Sequence, residues 1–232
     1  MKASSSRETI LKRIRAAAAG EPTARAVLAG SATRNSGAAN EHGEHGSSAS
    51  SRDYIRRGSM TAEARLERMA ERLREYDAEV VECRPEELGA AIAAQLAASD
   101  RHTFVAPAGL PKEWLAPGFD WMIDHGLAVD KIEHAGGVVT ACSCGVADSG
   151  TIVLHHGPME GRRVITLLPD WHLCILRASQ VVETLPEYFD RCEKPPELVT
   201  WISGPSATAD IEMTRIKGVH GPRFLHVMLV RD

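Results

Sequence analysis

Nothing in the chain approaches the roughly 18 consecutive apolar residues of a membrane-spanning helix. The opening MKASSSRETILKRIR carries charge where a signal peptide has an apolar core, so a cytoplasmic location is expected by default. Cysteine is sparse and odd in number. Cys83, Cys142, Cys144, Cys174 and Cys192 lack the even, dense spacing of a secreted disulfide scaffold, and reduced thiols are expected. No C-x-x-C-x-x-C run is present, so no iron–sulfur cluster is expected in this chain. Also missing are G-x-G-x-x-G after a strand, G-x-x-x-x-G-K-S/T, H-E-x-x-H and the G-x-S-x-G elbow. Nicotinamide, nucleoside triphosphate and zinc-protease readings lose their usual support.

Charge is unevenly spread. The formal net charge of −4 combines ten Lys or Arg against five Asp or Glu in residues 1–60 with 17 against 26 in the remainder. The acidic remainder argues against a nucleic-acid-binding domain, although the basic tail suits contact with an acidic partner. A hydrophobic share of 44% and a charged share of 25% are those of a globular protein, and 232 residues suffice for a substantial core.

Residues 1–19 read as an amphipathic helix, with Ile10, Leu11 and Ile14 on one face and Gly20 past its end. Residues 20–59, around SGAANEHGEHGSSASS, read as a flexible linker. His42 and His45 lie in it with nothing to preorganise a metal site. From residue 60 onward strands and helices alternate. Thr61 caps a helix to Tyr76; Glu79 to Cys83 is a strand, Pro85 to Ala98 a helix and Thr103 to Pro107 a strand. A helical turn is expected at Pro111 to Leu115 and strands near Leu127 to Ile132 and Val138 to Thr140. The stretch from Val146 to Arg177 supplies apolar runs at Thr151 to Leu154, Val164 to Leu168 and Leu173 to Leu176. Such runs, apolar at nearly every position, mark strands covered on both faces. Then come a helix over Ser179 to Phe189, a strand over Leu198 to Ile202, a helical turn at Thr208 to Met213 and a last strand from Phe224 to Val230. The rhythm predicts an α/β domain with a mixed, mostly parallel sheet and helices on both faces. Ligands in such sheets usually sit beyond the strands' carboxyl ends.

The turns carry the candidate chemistry. Asp148, Ser149, Gly150 and Thr151 precede one strand, while Gly157, Gly161, Arg162 and Arg163 place backbone amides beside two guanidinium groups. Ser203, Gly204 and Ser206 follow another strand. Both corners are suited to an anion such as a carboxylate or phosphate, with Arg163 supplying charge. The same residues also serve as turn formers and N-caps. His155 and His156 are expected on opposite faces of one strand, and His172 fits a core residue. His220, between glycine turns, is the histidine placed to exchange a proton near neutral pH. Glu212 and Asp210 are further carboxylates near the pocket, with caps and turn contacts as their ordinary roles.

The segments ADSGTIVL, GRRVITLLPDWH, WISGPSATADIE and GVHGPRFLHVMLV resemble, in order and spacing, those of the lactate utilisation protein C family, or LUD domain. The resemblance covers the chain from about Thr61, and the N-terminal helix and linker are similar too. The family usually has Glu and Thr where this chain has Asp148 and Ser149, and it lends no role to the C-x-C at Cys142 and Cys144. The resemblance implies a fold like that of the glucosamine-phosphate deaminase, ribose-phosphate isomerase and CoA-transferase group. It also implies a subunit of a system that oxidises L-lactate to pyruvate, with iron–sulfur clusters in partner proteins and none here. The alternative is a stand-alone enzyme or binding protein for a small phosphorylated, CoA-linked or folate-like ligand. In a CoA-transferase-like reaction Glu212 is the candidate nucleophile.

Overall fold

The first described helix, α1 (Ala62–Glu75), follows directly from its sequence. The Thr61 hydroxyl accepts the Ala64 N–H at 3.2 Å, and Leu66, Met69 and Leu73 form one buried stripe. The structure, a computed structural model, describes residues 55–192, 194, 196–209, 215–217 and 220–232, with the backbone alone at 207–209 and 215–217. The expected N-terminal helix and most of the expected linker lie outside these residues. Residues 56–60, at the linker's end, are tied down. The amides of Gly58, Ser59 and Met60 donate to the carboxylates of Glu187 and Glu183 at 2.7–3.1 Å.

Six parallel strands form the central sheet: β1 (Glu79–Cys83), β2 (Thr103–Pro107), β3 (Asp120–Asp124), β4 (Gly137–Ala141), β7 (Trp171–Arg177) and β12 (Phe224–Val230). Their order is β1-β12-β7-β4-β2-β3. The central strands β4 and β7 are buried at nearly every position, as their uninterrupted apolar runs require. Alternate residues face opposite ways. Leu173 and Ile175 pack with Leu88, Ile92 and Leu96 of helix α2 (Leu88–Ala98), whereas Cys174 and Leu176 pack with α1. One helix therefore covers each face, and the fold is α/β.

A second sheet, ordered β8-β5-β6-β9, combines β5 (Cys144–Val146), β6 (Thr151–Leu154), β8 (Val181–Val182) and β9 (Thr200–Ile202). β6 is antiparallel to both β5 and β9. Ile152 and Leu154 join the cluster beneath α1, while Val153 faces Tyr188 on the short helix Leu185–Arg191. A two-stranded ribbon pairs Ala207–Ala209 with Arg215–Lys217. Among the described residues no helix is long and apolar enough to cross a membrane.

Several expected elements differ. The run Val164 to Leu168 is not a strand: a 3-10 turn spans Arg163–Thr166 and tucks Ile165 against Val105, Ile132 and Val138. Its apolar residues fill a gap beside the sheet, and burial alone cannot tell a strand from a turn. Leu127 to Ile132 contains a short helix, Val129–Glu133, whereas the edge strand β3 lies earlier, with its aromatic and apolar residues between aspartates. Within Ser179 to Phe189, β8 separates a 3-10 turn from the helix, and Thr208 belongs to the ribbon rather than to a helical turn.

Candidate functional site

The chain runs from β2 outward to β3 and then returns to place β4 on the other side of β2, which puts the topological switch between β2 and β4. The loop from Gly157 to Glu160 covers the carboxyl ends there. Gly109 N–H donates to the Pro158 carbonyl and Ala141 N–H to the Met159 carbonyl, both at 3.0 Å. Glu160, 4% exposed, anchors the loop. Its carboxylate accepts the Ser143 hydroxyl, the His155 N–H at 2.6 Å and the Gly157 N–H at 3.3 Å. A cavity of about 340 Å³ remains beside Trp114, Cys142 and Arg177. Of the turn residues singled out in the sequence, Gly157 alone lines it.

Four of them instead line a cavity of about 250 Å³ at the amino ends of β7 and β12: Ser203, Gly204, Ser206 and His220. The two turns that carry them are stitched together, since Ser206 N–H donates to the Pro222 carbonyl at 2.8 Å and His220 N–H to Ser206 Oγ at 3.1 Å. Thr151 supports the cavity from behind. Its Oγ1 lies 2.8 Å from Ser203 Oγ and 2.8 Å from Ser149 Oγ, a chain of three hydroxyls. Gly150 and Gly204 have φ of +60° and +81° and lie against α1 and its C-cap. A Cβ there would come within 2.7 Å of Arg72 Cβ and 2.6 Å of Tyr76 Cβ respectively, so close approach of the helix requires glycine at both.

Asp148 is exposed, and its amide donates to the Glu183 carbonyl at 3.0 Å. Arg163 lies in an adjoining depression with Glu133 and Asp170; His220 and Gly221 line both spaces. Arg162 is not free for an anion, because its guanidinium grips Asp124 through two bonds of 2.6 and 2.8 Å. That grip holds the Asp124 carboxyl below its ordinary range. Glu212 and Asp210 lie outside the described residues.

The residue that most distinguishes this cavity is one expected in the core, His172. His172 is fully buried at the start of β7, and it lines the cavity. Its Nε2 bonds Thr140 Oγ1 at 2.8 Å, while Nδ1 has no partner. Burial pushes its pKa down to about 4, so the ring is neutral at physiological pH. A buried, unpaired ring nitrogen costs on the order of 1–3 kcal/mol, a cost that a ligand hydrogen bond removes. The only sequence signal was a histidine inside a run otherwise apolar at every position.

His155 and His156 also depart from expectation. β6 ends at Leu154, and His156 has left-handed backbone, φ +58°. His155 reaches Tyr188 Oη at 2.9 Å, whereas His156 bonds the Gly161 carbonyl through Nδ1 at 3.1 Å and Thr200 Oγ1 through Nε2 at 2.8 Å. Thr200 lines the cavity.

Cys142 and Cys144 serve different layers. Cys142 donates to the Ile175 carbonyl at 3.3 Å and Cys144 to the Gln180 carbonyl at 3.2 Å. The adjacent Cys174 sulfur and burial hold the Cys142 thiol well above its ordinary pKa, and burial pushes Cys144 up to about 11. Both remain protonated at neutral pH. Among the described residues no three His, Cys, Asp or Glu side chains gather to hold a metal.

A cavity walled by hydroxyls and a neutral imidazole, with Arg163 next door, suits a small polar carboxylate. The LUD domain model matches residues 66–230. This chain belongs to the LUD domain family. Within that family it is 37% identical over 169 residues to a protein of Deinococcus radiodurans named Lactate utilization protein C, an alignment covering 71% of this chain and 79% of the relative. It is 34% identical over 134 residues to the Bacillus subtilis protein of the same name, covering 53% of this chain and 55% of the relative. The crystal structure of a DUF162 family protein from D. radiodurans superposes on this LUD fold with a TM-score of 0.62 at 32% identity, covering 74% of this chain and 99% of that one.

Proposed function

We propose that this LUD protein serves lactate utilisation as a subunit that holds a small carboxylate in the cavity at the amino ends of β7 and β12. The system it serves oxidises L-lactate to pyruvate and passes the two electrons to iron–sulfur partner proteins. The names of the relatives support the lactate part of this reading. The observation that carries the site is buried His172, whose Nδ1 has no partner, in the lining of a cavity shared with Thr200, Ser203 and Ser206. A carboxylate is recognised there by hydrogen bonds, with Ser203 and Ser206 sharing the lining with the imidazole and His220 exposed.

The test is lactate-dependent reduction of an artificial electron acceptor by this chain alone, by its cluster-bearing neighbours alone, and by the mixture. Activity is expected only in the mixture and is expected to fall at least tenfold when the mixture contains His172→Gln, the loss of one well-placed buried contact. Equal activity with and without this chain contradicts the proposal.

A further inference from the structure

We infer that Thr200 makes this cavity select a 2-hydroxycarboxylate over the corresponding 2-oxocarboxylate, with His156 as the positioning residue that fixes the polarity of the Thr200 hydroxyl. The inference rests on the small-carboxylate reading above and adds which member of the lactate and pyruvate pair the cavity prefers.

A backbone carbonyl can only accept, so the 3.1 Å contact to Gly161 places a proton on His156 Nδ1. In the neutral imidazole Nε2 then bears a lone pair and can only accept. The 2.8 Å contact between Nε2 and Thr200 Oγ1 is therefore a bond donated by the threonine hydroxyl. Thr200 has one hydroxyl proton, and this bond uses it. What Thr200 Oγ1 can still offer is a lone pair. Thr200 is 9% exposed and lines the cavity; toward a ligand there its oxygen can accept from a hydroxyl, whereas a carbonyl brings a second lone pair against it.

The polarity is held by backbone geometry. His156 adopts φ +58°, a conformation that non-glycine residues rarely take, and its ring bonds two separate elements at once. The imidazole bridges the Gly161 turn to β9, which prevents the free rotation that would let Thr200 reverse. His172 supplies the complementary contact. In the tautomer that carries its proton on Nδ1, Nε2 accepts from the Thr140 hydroxyl at 2.8 Å and the partnerless Nδ1 donates to the ligand carboxylate. One neutral donor for the carboxylate and one obligate acceptor for the 2-hydroxyl match L-lactate and mismatch pyruvate. The site thus takes up the substrate of lactate oxidation and lets its product go.

Titration of the full-length chain with L-lactate, pyruvate and propionate, followed by calorimetry or NMR, tests this. L-lactate is expected to bind about tenfold more tightly than pyruvate, because only pyruvate leaves Thr200 opposed by an acceptor. Thr200→Val, which keeps the branched shape suited to a strand, is expected to bring the three ligands within about twofold of one another, and Thr200→Ser to retain the preference. His156→Asn, chosen because asparagine tolerates left-handed backbone, frees the Thr200 proton and is expected to shift the ratio toward pyruvate. Equal binding of L-lactate and pyruvate by the wild type, or an unchanged ratio in Thr200→Val, overturns the selectivity. The cavity reading survives that outcome if propionate still binds and His172→Gln weakens it. Absence of binding by all three ligands overturns both. Should Thr200→Val fail to fold, the wild-type ratio and Thr200→Ser decide the matter.

Discussion

Glu160→Ala is expected to destabilise the protein by about 3–4 kcal/mol and to lower its Tm by roughly 10 °C. The carboxylate is almost fully buried and is the common acceptor for the Ser143 hydroxyl and the amides of His155 and Gly157. Removing it leaves those donors without the partner that holds the loop over the switch between β2 and β4. A bond to an ionised acceptor contributes roughly 1.5–3 kcal/mol, and three such bonds on one carboxylate do not add fully. Glu160→Gln keeps one acceptor oxygen and is expected to lose about half as much. Thermal denaturation followed by circular dichroism measures both. A Glu160→Ala Tm within 2 °C or so of wild type would show that the loop does not depend on this carboxylate.

Acid is expected to weaken the fold through His172 over a window set by its shift. The ring titrates near 4 when folded and near its ordinary 6.5 when unfolded. Above that ordinary value both states are neutral and pH has no effect through this residue. As pH falls through it, the unfolded chain binds a proton that the folded chain refuses, so stability declines by about 1.4 kcal/mol per pH unit until the folded ring titrates. The total is about 3 kcal/mol. Burial also lowers the pKa of His226, which contributes in the same direction and makes His226→Gln the natural control. The carboxylates of Asp124, Asp170 and Glu82, held low by arginine partners, lose their contributions at lower pH still. Urea unfolding at intervals between pH 7 and pH 4 is expected to show a shallower decline in His172→Gln than in wild type. Parallel curves for the two would remove the buried-neutral assignment.

These two residues mark where sequence reasoning stopped. The limits of β1, β2 and β12 were legible because short apolar runs bounded by turn residues leave few alternatives. The same pattern failed at Val164 to Leu168, where burial comes from filling a gap and not from pairing. The glycine and serine turns at Ser149 to Thr151 and Ser203 to Ser206 were legible as turns, and the structure joins them through Thr151 and Ser203. Why Gly150 and Gly204 must be glycine was not legible, since the reason is a helix packed against them from far away in sequence. The chemistry at His172 and Thr200 was hidden for a related reason. An unpaired nitrogen and a hydroxyl of fixed polarity are properties of three-dimensional partners, and neither Thr140 nor His156 stands near its partner in the chain.

The most direct test of the account observes His172 itself. With imidazole nitrogens labelled with 15N, the Nδ1 and Nε2 resonances of His172 report its charge, its tautomer and any new hydrogen bond. The account predicts a neutral ring at pH 7 whose Nδ1 resonance shifts on addition of L-lactate while that of His155, bonded to Tyr188 away from the cavity, stays in place. An Nδ1 resonance of His172 unmoved at lactate concentrations that saturate the reconstituted reaction would contradict it.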